Sequence, residues 1–158
     1  MTENYGPGGG PDPLSPGDEE LSDLLAGQRF GALATIQADG RPQLSTVAYT
    51  WDPRRRVVRI STIADRLKVR QLQKDPRCSL YVASDDFRVF AVAEGEAELS
   101  PVSLEAGDEV GLELLAMRGA ALSEPEAQLA FLRQMVADRR LVIRLRVSRL
   151  YGTALPVG

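Results

Sequence analysis

Apolar and polar positions change their period several times along this chain, and each change predicts an element. From Asp18 the leucines at 21, 24 and 25 fall at helical spacing; Asp18 or Ser22 can cap that helix and Gly27 can end it. The period then shortens to two. Runs over Phe30–Gln37, Gln43–Trp51 and Val57–Thr62 read as strands, with Ala32, Ala34 and Ile36 alternating with Leu33 and Thr35, and Val58 and Ile60 with Arg59 and Ser61. Asp39-Gly40 joins the first two runs and Asp52-Pro53-Arg54 the next two, both of them turn chemistry. Ala64–Lys74 returns to helical spacing until Asp75-Pro76 stops it.

Two further strands follow, Cys78–Ala83 and Val89–Leu99, joined at Ser84-Asp85-Asp86 and ended by Pro101. Val110, Leu114 and Met117 then share one face of an amphipathic helix, and Leu129, Leu132 and Val136 a face of the next, which Ser123-Glu124-Pro125 starts. Leu141–Val147 reads as a sixth strand, with Arg149-Leu150-Tyr151 extending into a seventh. The pattern predicts a mainly β protein with helices, of α+β class: a six- to seven-stranded antiparallel Greek-key barrel without βαβ rhythm or repeats. Residues 1–17, rich in glycine and proline, predict a disordered N-terminal tail, and residues 18–158 one domain.

Composition narrows the function. A hydrophobic fraction of 44% and a charged fraction of 26% are those of a soluble globular chain, and no apolar run reaches the roughly 20 residues of a membrane span. A net charge of −3 gives no reason to expect nucleic acid as partner. The N-terminus has no basic region followed by an apolar one, so a cytoplasmic location is expected. With no histidine and one cysteine, Cys78, the usual zinc and haem ligands are missing and no intrachain disulfide can form. Cys78 lies in an apolar run and reads as a buried, inert thiol.

The most informative segment is Ser61-Thr62-Ile63-Ala64-Asp65-Arg66-Leu67-Lys68-Val69-Arg70, where a strand ends in two hydroxyls and a helix begins among three cations. Arg66 and Arg70 share a helix face, and amides at a helix start favour an anion. Hydroxyls, cations and free amides make a phosphate site; the same spacing also suits a solvated basic helix face.

Phe30-Gly31-Ala32-Leu33-Ala34-Thr35-Ile36, Asp39-Gly40-Arg41-Pro42-Gln43-Leu44-Ser45-Thr46-Val47, the Ala64–Arg70 segment and Asp75-Pro76-Arg77 occur in that order. Together they resemble the pyridoxamine 5′-phosphate oxidase-like split-barrel superfamily, and within it the actinobacterial deazaflavin-dependent branch. Val92-Ala93-Glu94-Gly95, Asp138-Arg139-Arg140 and Tyr151-Gly152 extend the likeness, which covers about Leu21 to Gly152. The resemblance implies a split β-barrel homodimer with cofactor sites at the subunit interface. It assigns Arg66 and Lys68 to the cofactor phosphate, Gln43, Ser45 and Thr46 to the ring system, and Ser61 and Thr62 to the phosphate or ribityl chain. Arg88 and Phe90 match positions that face the partner's cofactor. As ordinary residues, Ser45 and Thr46 are strand hydroxyls.

The implied cofactor is coenzyme F420, whose acidic tail suits Arg66, Lys68, Arg70 and Arg88, with FMN as the alternative because FMN proteins of this fold share the Arg and Lys clamp. The implied activity is hydride transfer between the deazaflavin and a small or flat organic acceptor; the alternatives are an FMN flavoprotein and a non-catalytic F420 carrier. The sequence singles out no catalytic acid or base: Tyr49, Tyr81, Tyr151, carboxylates and water are all candidate proton donors. Trp51 and Phe87 suit either a pocket wall or the core.

Overall fold

Residues 13–156 are described by the computed structural model. Residues 1–12 of the expected tail lie outside them, and at its inner end the Leu14 and Ala154 backbones exchange hydrogen bonds of 2.7 and 2.9 Å.

Helix α1 (Asp18–Gly27) precedes strands β1 (Phe30–Ile36), β2 (Pro42–Ala48), β3 (Thr50–Asp52) and β4 (Val57–Ile63). Helix α2 (Leu67–Lys74) leads to β5 (Arg77–Ala83) and β6 (Val89–Leu99). Helices α3 (Glu109–Arg118) and α4 (Pro125–Ala137) separate these from β7 (Arg140–Ala154). The strands form one antiparallel sheet in the order β2-β1-β5-β6-β7-β4-β3, curled into a half-barrel. The α+β split-barrel architecture expected from the sequence is the one observed.

β7 is the spine of the sheet. Its residues 140–146 pair with β4 and its residues 143–154 with β6, so Ile143–Arg146 are bonded on both sides. A bulge at Ser148 of β7, opposite Glu94/Gly95, bends the pair, and a side chain at Gly95 would run into the carbonyl oxygen of Arg146. Leu33, Ile60, Leu80, Ile143 and Leu145 are fully buried and fill the concave side, with Leu21 and Leu25 of α1 closing it. A smaller cluster of Val110, Leu114, Met135 and Val142 seats the α3–α4 pair on the outer side of β7. Asp108 fixes the start of α3 by accepting from Ser103 Oγ and from the backbone N–H groups of Leu104, Glu105 and Gly111.

Four expectations need correction. The second strand breaks at Tyr49, whose phenol turns inward and donates to the Leu25 carbonyl at 2.6 Å, so Thr50–Asp52 forms its own strand against β4. The seventh strand is this piece, and the chain's end is one unbroken strand of 15 residues. The helix expected from Ala64 begins at Leu67, because Ala64–Arg66 turn with the Ala64 N–H bonded to the Arg139 carbonyl at 3.0 Å. In α4 the buried face is Leu132 and Met135, while Leu129 is exposed.

Helix α2 is held to the sheet by a buried polar pair, Thr35 Oγ1 donating to Gln71 Oε1 at 2.6 Å. Both side chains are buried, and each supplies the other's hydrogen bond. Thr35→Val keeps the shape of the site and strands the Gln71 amide. It is expected to cost about 1–3 kcal/mol, read as a lower urea midpoint at unchanged slope.

Candidate functional site

The curl brings the edge strand β2 opposite the end of β4, and a cleft of about 510 Å³ opens between them. Gln43, Ser45 and Thr46 of β2, Ser61 and Thr62 of β4, and Arg66 and Lys68 at the start of α2 all line it. Seven of the nine residues singled out from the sequence therefore meet in one place. The local reason is the turn after β4. The Arg66 N–H bonds to the Ile63 carbonyl at 3.1 Å and the Val69 N–H to the Arg66 carbonyl at 3.0 Å, which sets the first amides of α2 at the cleft wall.

Sequence reasoning missed Arg140 as a site residue. It opens β7 directly opposite Ile63 and lines the same cleft. Its Nε is buried and has no hydrogen-bond partner among the described residues; Asp138 Oδ2, at 3.8 Å, is beyond hydrogen-bond reach. An orphaned buried donor is costly, and the rest of the Arg140 side chain, 29% exposed, lines the cleft. The signal was present as Asp138-Arg139-Arg140, but only the long-range pairing of β7 with β4 brings Arg140 to Arg66 and Lys68.

The electrostatics point the same way. Among the described residues three cations line the cleft and no carboxylate does. Burial, and then the positive charge of Arg66, lower the pKa of the Lys68 ammonium below its ordinary value. The protic groups of the lining are the hydroxyls of Ser45, Thr46, Ser61 and Thr62, beside the Gln43 amide and the cations. Tyr49, Tyr81, Tyr151 and Cys78 lie elsewhere: Tyr49 is tied to Leu25 and raised by burial, and the Cys78 thiol is pushed up to about 12 by the same cause. The cleft can thus bind and neutralise an oxyanion, and among the described residues it holds no carboxylate or thiol, Lys68 being its titratable group besides the arginines.

Arg88 and Phe90 lie away from this cleft. Arg88 sits in the β5–β6 turn, its backbone N–H bonded to Asp86 Oδ1 at 3.0 Å, and Phe90 stacks on Tyr81 with ring centroids 5.4 Å apart. The register puts Phe90 and Tyr81 on the convex side of the sheet with Phe30 and Leu44, which are 64% exposed. Trp51 packs against the core and donates from Nε1 to Ser22 Oγ at 2.9 Å, whereas Phe87 is exposed at a turn; neither lines the cleft.

Comparison with known proteins agrees with this fold. The sequence model of the family described as pyridoxamine 5′-phosphate oxidase matches residues 18–154. An F420 reductase of known structure superposes with a TM-score of 0.61 at 25% identity, over 85% of this chain and 97% of that one. A conserved hypothetical protein from Mycobacterium tuberculosis superposes with a TM-score of 0.71 at 22% identity, over 94% of each chain. An FAD-binding protein from Mesorhizobium loti gives 0.62 at 17% identity, over 90% of this chain and 97% of that one. The last two likenesses speak for the fold alone.

Because the fold disfavours the charge on Lys68, that penalty is fully present below its lowered pKa, fades as pH rises from there towards the ordinary value of 10.5, and is gone above it. Lys68→Met is expected to melt no lower than the parent at neutral pH while losing most of the stabilisation that added inorganic phosphate gives the parent. Thermal melts with and without phosphate check both parts.

Proposed function

The chain belongs to the pyridoxamine 5′-phosphate oxidase family, and from that membership we propose that it is a coenzyme F420-dependent oxidoreductase. The observation that carries this reading is a cleft in which Arg66, Lys68 and Arg140, the last with a buried Nε that makes no hydrogen bond, lie with the hydroxyls of Ser61 and Thr62 and with no carboxylate from the described residues in the lining. Such a donor set fits a phosphoryl group, and each charge-assisted contact contributes on the order of 1.5–3 kcal/mol. Arg66, Lys68 and Arg140 would hold the phosphate, Ser61 and Thr62 the phosphate or ribityl chain, and Gln43, Ser45 and Thr46 the ring system along β2. The likeness to an F420 reductase supports the deazaflavin. So does the further cation Arg70, exposed on α2 beside Lys74, which suits an anion longer than FMN.

When bound, coenzyme F420 supplies hydride transfer to a small or flat organic acceptor. The chain's own part is to anchor the anionic end, to place the ring along β2 and to keep water from its face. Among the described residues no carboxylate lines the cleft and Lys68 is committed to the phosphate, so the proton that accompanies the hydride comes from the acceptor's surroundings or from solvent. The exposed apolar residues Phe30, Leu44 and Tyr81 on the convex sheet favour a homodimer across that face. In such a dimer Arg88 and Phe90 would face the partner's cofactor.

Fluorescence titration of the purified chain with oxidised F420 and with FMN at physiological salt tests the proposal. A preference for F420 of tenfold or more, about 1.4 kcal/mol, is expected. The Arg66→Ala/Lys68→Ala variant, still folded, is expected to lose at least about a hundredfold in affinity. A preference for FMN would make the chain a flavoprotein, and binding of neither would overturn the assignment.

A further inference from the structure

A second pocket lies behind the cleft, between the α3–α4 pair and the outer side of the sheet. It holds about 380 Å³ and shares Ala48, Ser61 and Arg140 with the cleft. Its far wall is apolar, made of Leu114 and Met117 from α3 and Phe131 and Met135 from α4. Among the described residues two cations line it and no carboxylate does: Arg140, with its orphaned Nε, and Arg118, whose guanidinium lies 5.6 Å from the centroid of the Phe131 ring. Core contacts alone do not require this combination. The buried cluster under α3 and α4 is complete with Val110, Leu114, Met135 and Val142, while Met117 and Phe131 are only partly covered.

We propose that this pocket is a binding site for a small organic anion with an apolar, aromatic body, the anionic end meeting Arg118 and Arg140 and the body lying among Met117, Phe131 and Met135. The two methionines fit an unspecialised apolar shape, since the thioether side chain is flexible and contacts aromatic rings favourably. Phe131 adds a ring face whose guanidinium neighbour is already in place. The paired arrangement of an apolar body and a few convergent polar groups is the usual composition of a small-molecule site. The inference stands on this pocket and does not depend on the identity of the cofactor.

Calorimetric titration of the full chain, without cofactor, with 4-phenylbutyrate and with its neutral counterpart 4-phenylbutanol tests it. Saturable binding of the acid with at least tenfold preference over the alcohol is expected. Arg118→Gln, at an exposed position, is expected to cost fivefold or more in affinity for the acid and to leave the alcohol unchanged. Met117→Trp, which fills the pocket from a partly exposed site, is expected to abolish binding of the acid at an unaltered melting temperature. The absence of saturable binding, equal affinity for acid and alcohol, or indifference to both substitutions would overturn the proposal.

Discussion

The structure depends on one strand being paired on both sides. β7 bonds β6 along one edge and β4 along the other, and this double pairing over Ile143–Arg146 turns two groups of strands into a single curled sheet. Without it β4 and β3 would have no attachment to the strands around β1. β6 carries a glycine opposite the Ser148 bulge of β7 because β7 passes so close that a side chain at Gly95 would strike its backbone. The same strand begins with Arg140 and fixes the turn before α2 through the Arg139 carbonyl, so the seam that closes the sheet also builds the cleft.

That cleft concentrates positive charge in a protein whose net charge is −3. The acidic residues are spent elsewhere: Glu113 and Glu98 bind Arg59, Arg144 and Arg146 on the outer face of β4, β7 and β6, and Asp108 caps α3. Arg66, Lys68 and Arg140 line one partly buried gap, where the carboxylate near them is Asp138, 3.8 Å from the Arg140 Nε. The cost shows in the lowered pKa of Lys68 and in the orphaned Nε of Arg140. A site that carries such a cost without a ligand is one that an anion stabilises, and the scaffold that bears the cost is the apolar interior around Leu33, Leu80 and Ile143.

Much of this was legible in the sequence, because local signals decide much of it. Alternation marks β1 and β4, Asp-Gly and Asp-Pro mark their turns, and the hydroxyls before Arg66 mark the end of a strand that meets a helix. Where reading by pattern went astray, a distant contact decided. Tyr49 leaves its strand because the Leu25 carbonyl, 24 residues away, accepts its hydroxyl. Met135 replaces Val136 in the buried face of α4 because the helix packs on Val142 and α3, which its own periodicity does not reveal. Arg140 had no visible role because its neighbours in the cleft lie more than 70 positions earlier. Arg88 and Phe90 lie outside the cleft of a single chain, where a role at the cofactor would need a second copy.

The most direct measurement is a crystal structure of the chain grown with oxidised coenzyme F420. The account predicts the phosphate among Arg66, Lys68 and Arg140, now hydrogen-bonded through the Arg140 Nε, with the ring beside Gln43, Ser45 and Thr46. A cofactor bound with its phosphate elsewhere, or with Arg140 still unpartnered, would contradict it.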